Sequence, residues 1–140
     1  MTGPRRYLLD TNIISETRRS RMDERVQAFL TQADAQSLYL SVLTLGELRK
    51  GIALKRKSDP AIADALAAWV DELEQKFGDR VIAIDGAVAK LWGELSADRS
   101  RPVVDTLIGA TALAHDLVFV TRNGKDVAGL NLTILNPFEQ

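Results

Sequence analysis

Four acidic residues fall where an open α/β sheet keeps its chemistry. Asp10 ends the apolar run Tyr7-Leu8-Leu9, and Glu47 lies one helical turn past the loop that follows a second run, Leu38-Tyr39-Leu40-Ser41. Asp105 opens the apolar, Ala-rich segment from Val104 to His115, and Asp126 lies beyond Thr121-Arg122-Asn123, after the run Leu117-Val118-Phe119-Val120. If those runs are parallel strands, all four acids sit at their carboxyl ends, where such sheets bind ligands. Four carboxylates in one pocket repel each other, and a divalent cation removes that cost. Hard oxygen donors suit Mg2+ or Mn2+, and such an ion activates water and stabilises charge on a phosphate diester. The chain has no cysteine and one histidine, His115. Thiol nucleophiles, thiolate zinc sites, disulfides and chemistry that needs two histidines are therefore excluded.

The elements that must position these acids follow from hydrophobic period and punctuation. Strands are expected at 7–9, 38–41, 80–84, 117–120 and 132–135. A short helix is expected from Thr11 to Arg19, then a basic turn with Arg18, Arg19 and Arg21. Met22, Val26, Phe29, Leu30 and Ala33 mark a second helix, and Leu45, Leu48 and Ile52 a third from about Leu45, where Thr44-x-x-Glu47 fits a capping box. Asp59-Pro60 starts a long helix whose stripe runs Ile62, Leu66, Trp69, Val70, Leu73, Phe77 and which ends at Gly78. Asp85 caps a helix with Val88, Leu91, Trp92 and Leu95 on one face; Arg101-Pro102 then breaks the chain. Strands alternating with helices imply a parallel sheet with helices on both faces, in one domain of 140 residues.

Composition is that of a globular chain, 46% hydrophobic and 26% charged. No apolar run reaches the length of a membrane helix, and Met1 to Arg6 carries no signal-peptide pattern, so a cytoplasmic location is expected. The net charge of −1 argues by itself against a nucleic-acid binder. Setting the four acids aside as metal ligands leaves 18 Lys/Arg against 15 Asp/Glu, a balance friendlier to a polyanion. Charge is also uneven: residues 1–57 hold 11 Lys/Arg and 6 Asp/Glu, residues 58–140 hold 7 and 13.

Each acid has a structural alternative. Asp10 could merely cap the next helix. Glu47 could be only the partner of Thr44 in the capping box. Asp105 could serve the helix dipole, and Asp126 could be solvated. Asp85 reads as a cap, His115 as a helix-end residue, Trp69 and Trp92 as core, and Lys55-Arg56-Lys57 as a solvated helix end.

The same residues carry a family resemblance. Leu8-Leu9-Asp10-Thr11-Asn12-Ile13-Ile14-Ser15-Glu16 resembles the opening motif of PIN-domain ribonucleases, in particular VapC-type toxins of the FitB-like branch. Ser41 to Leu48 with Gly51-Ile52 resembles their second motif, and Pro102 to Ala112 the third. Thr121-Arg122-Asn123-Gly124-Lys125-Asp126 resembles the fourth, and Leu135-Asn136-Pro137-Phe138 the usual ending. Two positions depart from the pattern: Val127 replaces an aromatic after the fourth acid, and Gly109 stands where the family prefers alanine.

The resemblance implies a three-layer α/β/α sandwich around a parallel sheet of four to five strands. It implies an endoribonuclease dependent on Mg2+ or Mn2+, with catalytic and metal-holding roles on Asp10, Glu47, Asp105 and Asp126 and polar support from Asn12, Thr121 and Asn123. It also implies a homodimer, a VapB-type antitoxin in a heterotetramer or larger complex, and contact with promoter DNA only through the antitoxin. Arg18, Arg19, Arg21, Arg49 and Lys50 are candidates to hold the RNA backbone by their nearness in sequence to site acids. Two other functions compete. An aspartyl phosphatase would want a second acid two residues after the first, where Asn12 stands. A non-enzymatic binder of RNA or antitoxin would not need four acids.

Overall fold

A computed structural model describes residues 5–139. The reading of the N-terminus as lacking a targeting pattern falls partly on residues 1–4, outside the described residues. Five strands, β1 (Tyr7–Leu9), β2 (Leu38–Ser41), β3 (Val81–Ile82), β4 (Val118–Val120) and β5 (Ile134–Leu135), form one sheet in the order β3-β2-β1-β4-β5. Every pairing is parallel, with Leu8 opposite both Tyr39 and Phe119. The helices are α1 (Thr11–Glu16), α2 (Glu24–Gln32), α3 (Val42–Arg56), α4 (Pro60–Phe77), α5 (Gly86–Asp98) and α6 (Val103–Ala114).

Strand alternation divides the core into two layers. Leu9 and Val120 face one side with Ile13, Leu40 and Val70, packed by α1 to α4. Leu8 and Phe119 face the other, with Ile108, Leu117 and Val127. Helices on both faces give the expected α/β/α sandwich. The order also sets a topological switch: the chain runs outward from β1 through β2 and β3, then returns to lay β4 against the opposite edge of β1. The carboxyl ends of β1 and β4 therefore flank the crevice in which such sheets hold ligands.

Several boundaries differ from the sequence expectation for local reasons. The third helix begins at Val42 rather than near Leu45, because the hydroxyl of buried Ser41 accepts the Leu43 N–H at 3.0 Å and caps it. Thr44 is then inside the first turn, so the Thr44–Glu47 capping box does not form. Helix α1 stops at Glu16 instead of Arg19. The Thr17 hydroxyl donates to the Ile14 carbonyl, and the buried Glu16 carboxylate accepts the Asp23 N–H at 2.7 Å, drawing the chain into a turn. β3 keeps two residues, since its partner β2 turns into helix right after Ser41. Asp59 with Pro60, Asp85, and Gly78 at φ +53° take their expected terminal places.

Candidate functional site

Asp10 follows β1 directly and Thr121 follows β4 directly, and the parallel register sets them side by side. The Thr121 hydroxyl, 99% buried, donates to Asp10 Oδ2 at 2.7 Å. The Asn12 amide donates to the same oxygen at 3.2 Å, while Oδ1 accepts the Thr11 N–H at 2.8 Å and caps α1. Capping and site roles thus coexist in one carboxylate. Two donors fill the lone pairs of Oδ2, which leaves capacity on Oδ1. Burial of Asp10 raises its pKa; the donors from Thr121 and Thr11 oppose that, and the nearby Glu47 charge adds to it.

Glu47 is placed by α3. The Thr11 hydroxyl lies 2.6 Å from Glu47 Oε1 and 3.1 Å from the hydroxyl of Thr44, which is fully buried. Thr11 has one hydroxyl proton, and the nearer, charged acceptor takes it. Thr44 then donates to Thr11, and a Thr44–Thr11–Glu47 chain fixes the carboxylate. Sequence reasoning paired Thr44 with Glu47 for the wrong purpose and gave Thr11 no role. The spacing of three residues was the right signal, since it puts both on one helix face, but the helix start was misplaced.

Asp105 is the third residue of α6, behind Pro102 at the cap position, so it is a first-turn acid and not the cap. It is half-buried. Its pKa is raised first by burial, then by the charges of Asp10, Asp126 and Glu47. The four predicted acids therefore share one electrostatic field although they come from four separate parts of the chain. Asp126 reaches it from a 3-10 turn, Gly124–Val127, after β4. The two family departures meet beneath that turn: a Cβ on Gly109 would lie 3.1 Å from Val127 Cγ1, so the bare glycine makes room for the branched, buried valine.

The support residues divide. Asn12 and Thr121 touch Asp10, and Asn12 Oδ1 accepts the Arg122 N–H at 3.2 Å. Asn123 contributes through its backbone: its N–H donates to the Thr121 hydroxyl at 3.0 Å and its carbonyl accepts the Asp126 N–H at 3.0 Å. Arg49 is not free for a substrate. It bridges α3 to α4 through Asp71 at 2.6 Å and Glu74 at 3.0 Å. Arg18 lies over the half-buried Trp69 ring, 5.5 Å from its centre. His115 ends α6, and its carbonyl accepts from Arg6.

Among the described residues no three acidic or histidine side chains are already gathered into a metal cage. Asp105 and the three carboxylates whose charges act on it offer only oxygen donors. That donor set fits a hard cation that keeps part of its water shell, as Mg2+ does, and offers nothing to a soft one.

Comparison with known proteins follows the same lines. The PIN domain family model matches residues 7–128. A VapC ribonuclease, Y4jK of Sinorhizobium fredii, is 32% identical over 141 residues, covering 94% of this chain and 97% of that protein. The crystal structure of FitAcB from Neisseria gonorrhoeae superimposes with a TM-score of 0.84 at 30% identity, covering 96% and 99% of the two chains. A toxin–antitoxin complex from Klebsiella pneumoniae aligns at a TM-score of 0.66 and 27% identity, covering 94% and 97%. With nearly the whole chain aligned to such relatives and residues 7–128 matched by the family model, this chain belongs to the PIN-domain family.

Proposed function

We propose that the chain is the toxin of a VapBC-type toxin–antitoxin system and a divalent-cation-dependent endoribonuclease. The observation that carries this reading is the placement of Asp10 after β1, Glu47 in α3, Asp105 in the first turn of α6 and Asp126 in the turn after β4, where burial first and then the charges of Asp10, Asp126 and Glu47 raise the Asp105 pKa. The similarity to a VapC ribonuclease over almost the full length supports it, and PIN ribonucleases as a class depend on divalent metals.

Asp10, Glu47, Asp105 and Asp126 would hold Mg2+ or Mn2+. When bound, the ion supplies a Lewis acid that activates water and offsets charge building on the phosphate. Thr121 and Asn12 aim the Asp10 carboxylate and oppose the rise that burial gives its pKa. Thr11, backed by Thr44, holds Glu47 with one carboxylate oxygen free to orient a water or accept its proton. Among the described residues no donor relieves the charge of Asp105, whose pKa is raised by burial and by three neighbouring carboxylates, so a cation would stabilise it.

The antitoxin partner rests on the likeness to a toxin–antitoxin complex. The homodimer, the larger assembly with antitoxin, promoter contact through the antitoxin alone, and a cytoplasmic site of action belong to the same proposal. No helix among the described residues is long and apolar enough to cross a membrane. The test is cleavage of RNA after chelation. Mg2+ or Mn2+ should restore it and Zn2+ should not, while a small phosphomonoester should stay intact. Full RNA cleavage in excess EDTA would refute the metal-dependent reading, and turnover of the phosphomonoester alone would favour a phosphatase. Light scattering at micromolar concentration should give a dimer; a monomer would remove that part.

A further inference from the structure

Beside the acidic crevice lies a second cleft of about 670 Å3 with the opposite charge. Its walls carry Arg25, Arg122 and Lys125 against one carboxylate, Glu139, with Asn123 and Asn136 between them. We propose that this cleft is the track for the phosphodiester backbone of a single RNA strand on its way to the acids. The inference rests on the ribonuclease reading and names the surface that would give it affinity.

Three observations carry it. First, the cleft is joined to the site through the backbone. Arg122 directly follows Thr121, the hydroxyl partner of Asp10, and the Arg122 N–H is held by Asn12, whose amide also donates to Asp10. A phosphate held by Arg122 is therefore close in register to the reacting one. Second, the cations are available. Among the described residues Arg122 and Lys125 form no ion pair. The Arg122 guanidinium lies over the Phe138 ring, 4.4 Å from its centre, which fixes its plane. Arg25 is bound to Asp23, whose pKa it lowers to about 2, and stands as a partly neutralised outer wall. Third, the 3-10 turn separates two opposite charges. Lys125 lines the cleft, while the next residue, Asp126, acts on Asp105 across the acid crevice.

The acids alone repel a polyanion, so affinity must come from flanking cations, and phosphate contacts of this type position a strand without reading its bases. Phe138 is buried under Arg122 and offers no open face for base stacking, so the cleft grips backbone and leaves sequence choice to other surfaces. Two of the candidates named from sequence are already engaged, Arg49 between two carboxylates and Arg18 on Trp69.

The test is fluorescence anisotropy with a 5′-labelled, mixed-sequence 12-nucleotide RNA, in EDTA so that no hydrolysis occurs. Wild type should bind. Lys125→Glu and Arg122→Gln should each weaken binding about tenfold, with the slope of log affinity against log salt falling by about 0.7 per lost cation. Lys125 makes no side-chain bond that its replacement would break, so Lys125→Glu should melt as wild type and keep the test clear of misfolding. No binding by wild type, unchanged affinity in both variants, or a comparable loss in Arg18→Glu alone would overturn the proposal. So would displacement of the RNA by poly-glutamate at equal charge, which would assign the cleft to an acidic protein segment. Absence of Mg2+-dependent hydrolysis with the binding pattern intact would refute the ribonuclease reading and leave the cleft standing.

Discussion

The end of β1 and the first turn of α6 each present an aspartate to the same crevice, and the protein treats the two differently. Asp10 is buried and accepts hydrogen bonds on both oxygens, from Thr11, Asn12 and Thr121. Asp105 is half-exposed, and its pKa is raised by burial and by Asp10, Asp126 and Glu47, with no hydrogen-bond donor among the described residues opposing them. One carboxylate is built into the fold; the other is left for something outside it. Where a chain supports one acid fully and surrounds the next with like charge, the missing counter-charge is the ligand. The difference also separates stability from function, because removing Asp10 breaks both and removing Asp105 should break only one.

The largest expected effect is Asp10→Ala. It deletes the α1 cap, worth about 1 kcal/mol, and leaves the proton of the buried Thr121 hydroxyl without its acceptor, at a further cost of about 1 kcal/mol, while the Asn123 N–H still bonds the hydroxyl oxygen. RNA cleavage should fall by more than about 100-fold and the melting temperature should drop by several degrees. Equal destabilisation by Asp10→Ala and Asp105→Ala in calorimetry would erase the contrast.

Glu47→Gln comes next. Gln Oε1 still accepts from Thr11, so the melting curve should stay within about 1 °C of wild type while cleavage falls about 100-fold, a loss of about 3 kcal/mol in transition-state stabilisation. A fully active Gln variant would show Glu47 to be structural.

Asp105→Asn gives a signed pH effect in metal-free protein. A carboxyl whose pKa is raised on folding binds more protons in the native state, so its contribution to stability falls as pH rises from 3.8 through the raised value. Asn carries no such penalty. In EDTA the variant should match wild type near pH 3, by the same linkage, and become the more stable of the two towards neutrality, read as a higher melting temperature. A variant that melts lower at every pH would make Asp105 a structural residue.

The smallest effect is expected from Thr44→Val. It keeps the buried volume and removes the hydroxyl behind Thr11, at about 1 kcal/mol. Cleavage should fall about fivefold, the rate equivalent of that energy, and Thr44→Ser should restore it. Wild-type cleavage in Thr44→Val would show that the chain behind Glu47 does not matter.

Much of this was legible in the sequence because each acid stands at a change of period: Asp10 where an apolar run stops, Asp105 where Pro102 ends one segment and an apolar helix begins. What sequence could not supply was adjacency. Asp10 and Thr121 are 111 residues apart, and they meet only because β4 pairs with β1 instead of extending the β1-β2-β3 edge. The start of α3 was misplaced because Thr44 competed with Ser41 for the cap, and the hydroxyl that won is the one that closes β2. The pairing of Gly109 with Val127 is equally hidden in the sequence, since the two are 18 positions apart and only the fold brings the bare glycine against the valine. The basic residues were judged by nearness along the chain, which favoured Arg49 and passed over Arg122 and Lys125.

On the proposed reading, four acids from separate elements act together in holding divalent cation. Calorimetric titration of Mn2+ tests it most directly when wild type is set beside Asp105→Asn and Asp85→Asn. Asp85 lies outside the crevice and caps α5 through the Val88 N–H at 3.0 Å, a bond that Asn also makes. Wild type should bind Mn2+ saturably, Asp85→Asn should bind it with the same affinity, and Asp105→Asn should bind it at least about tenfold more weakly, a loss of about 1.4 kcal/mol or more. Equal affinity in Asp105→Asn and wild type, or equal loss in both variants, would contradict it.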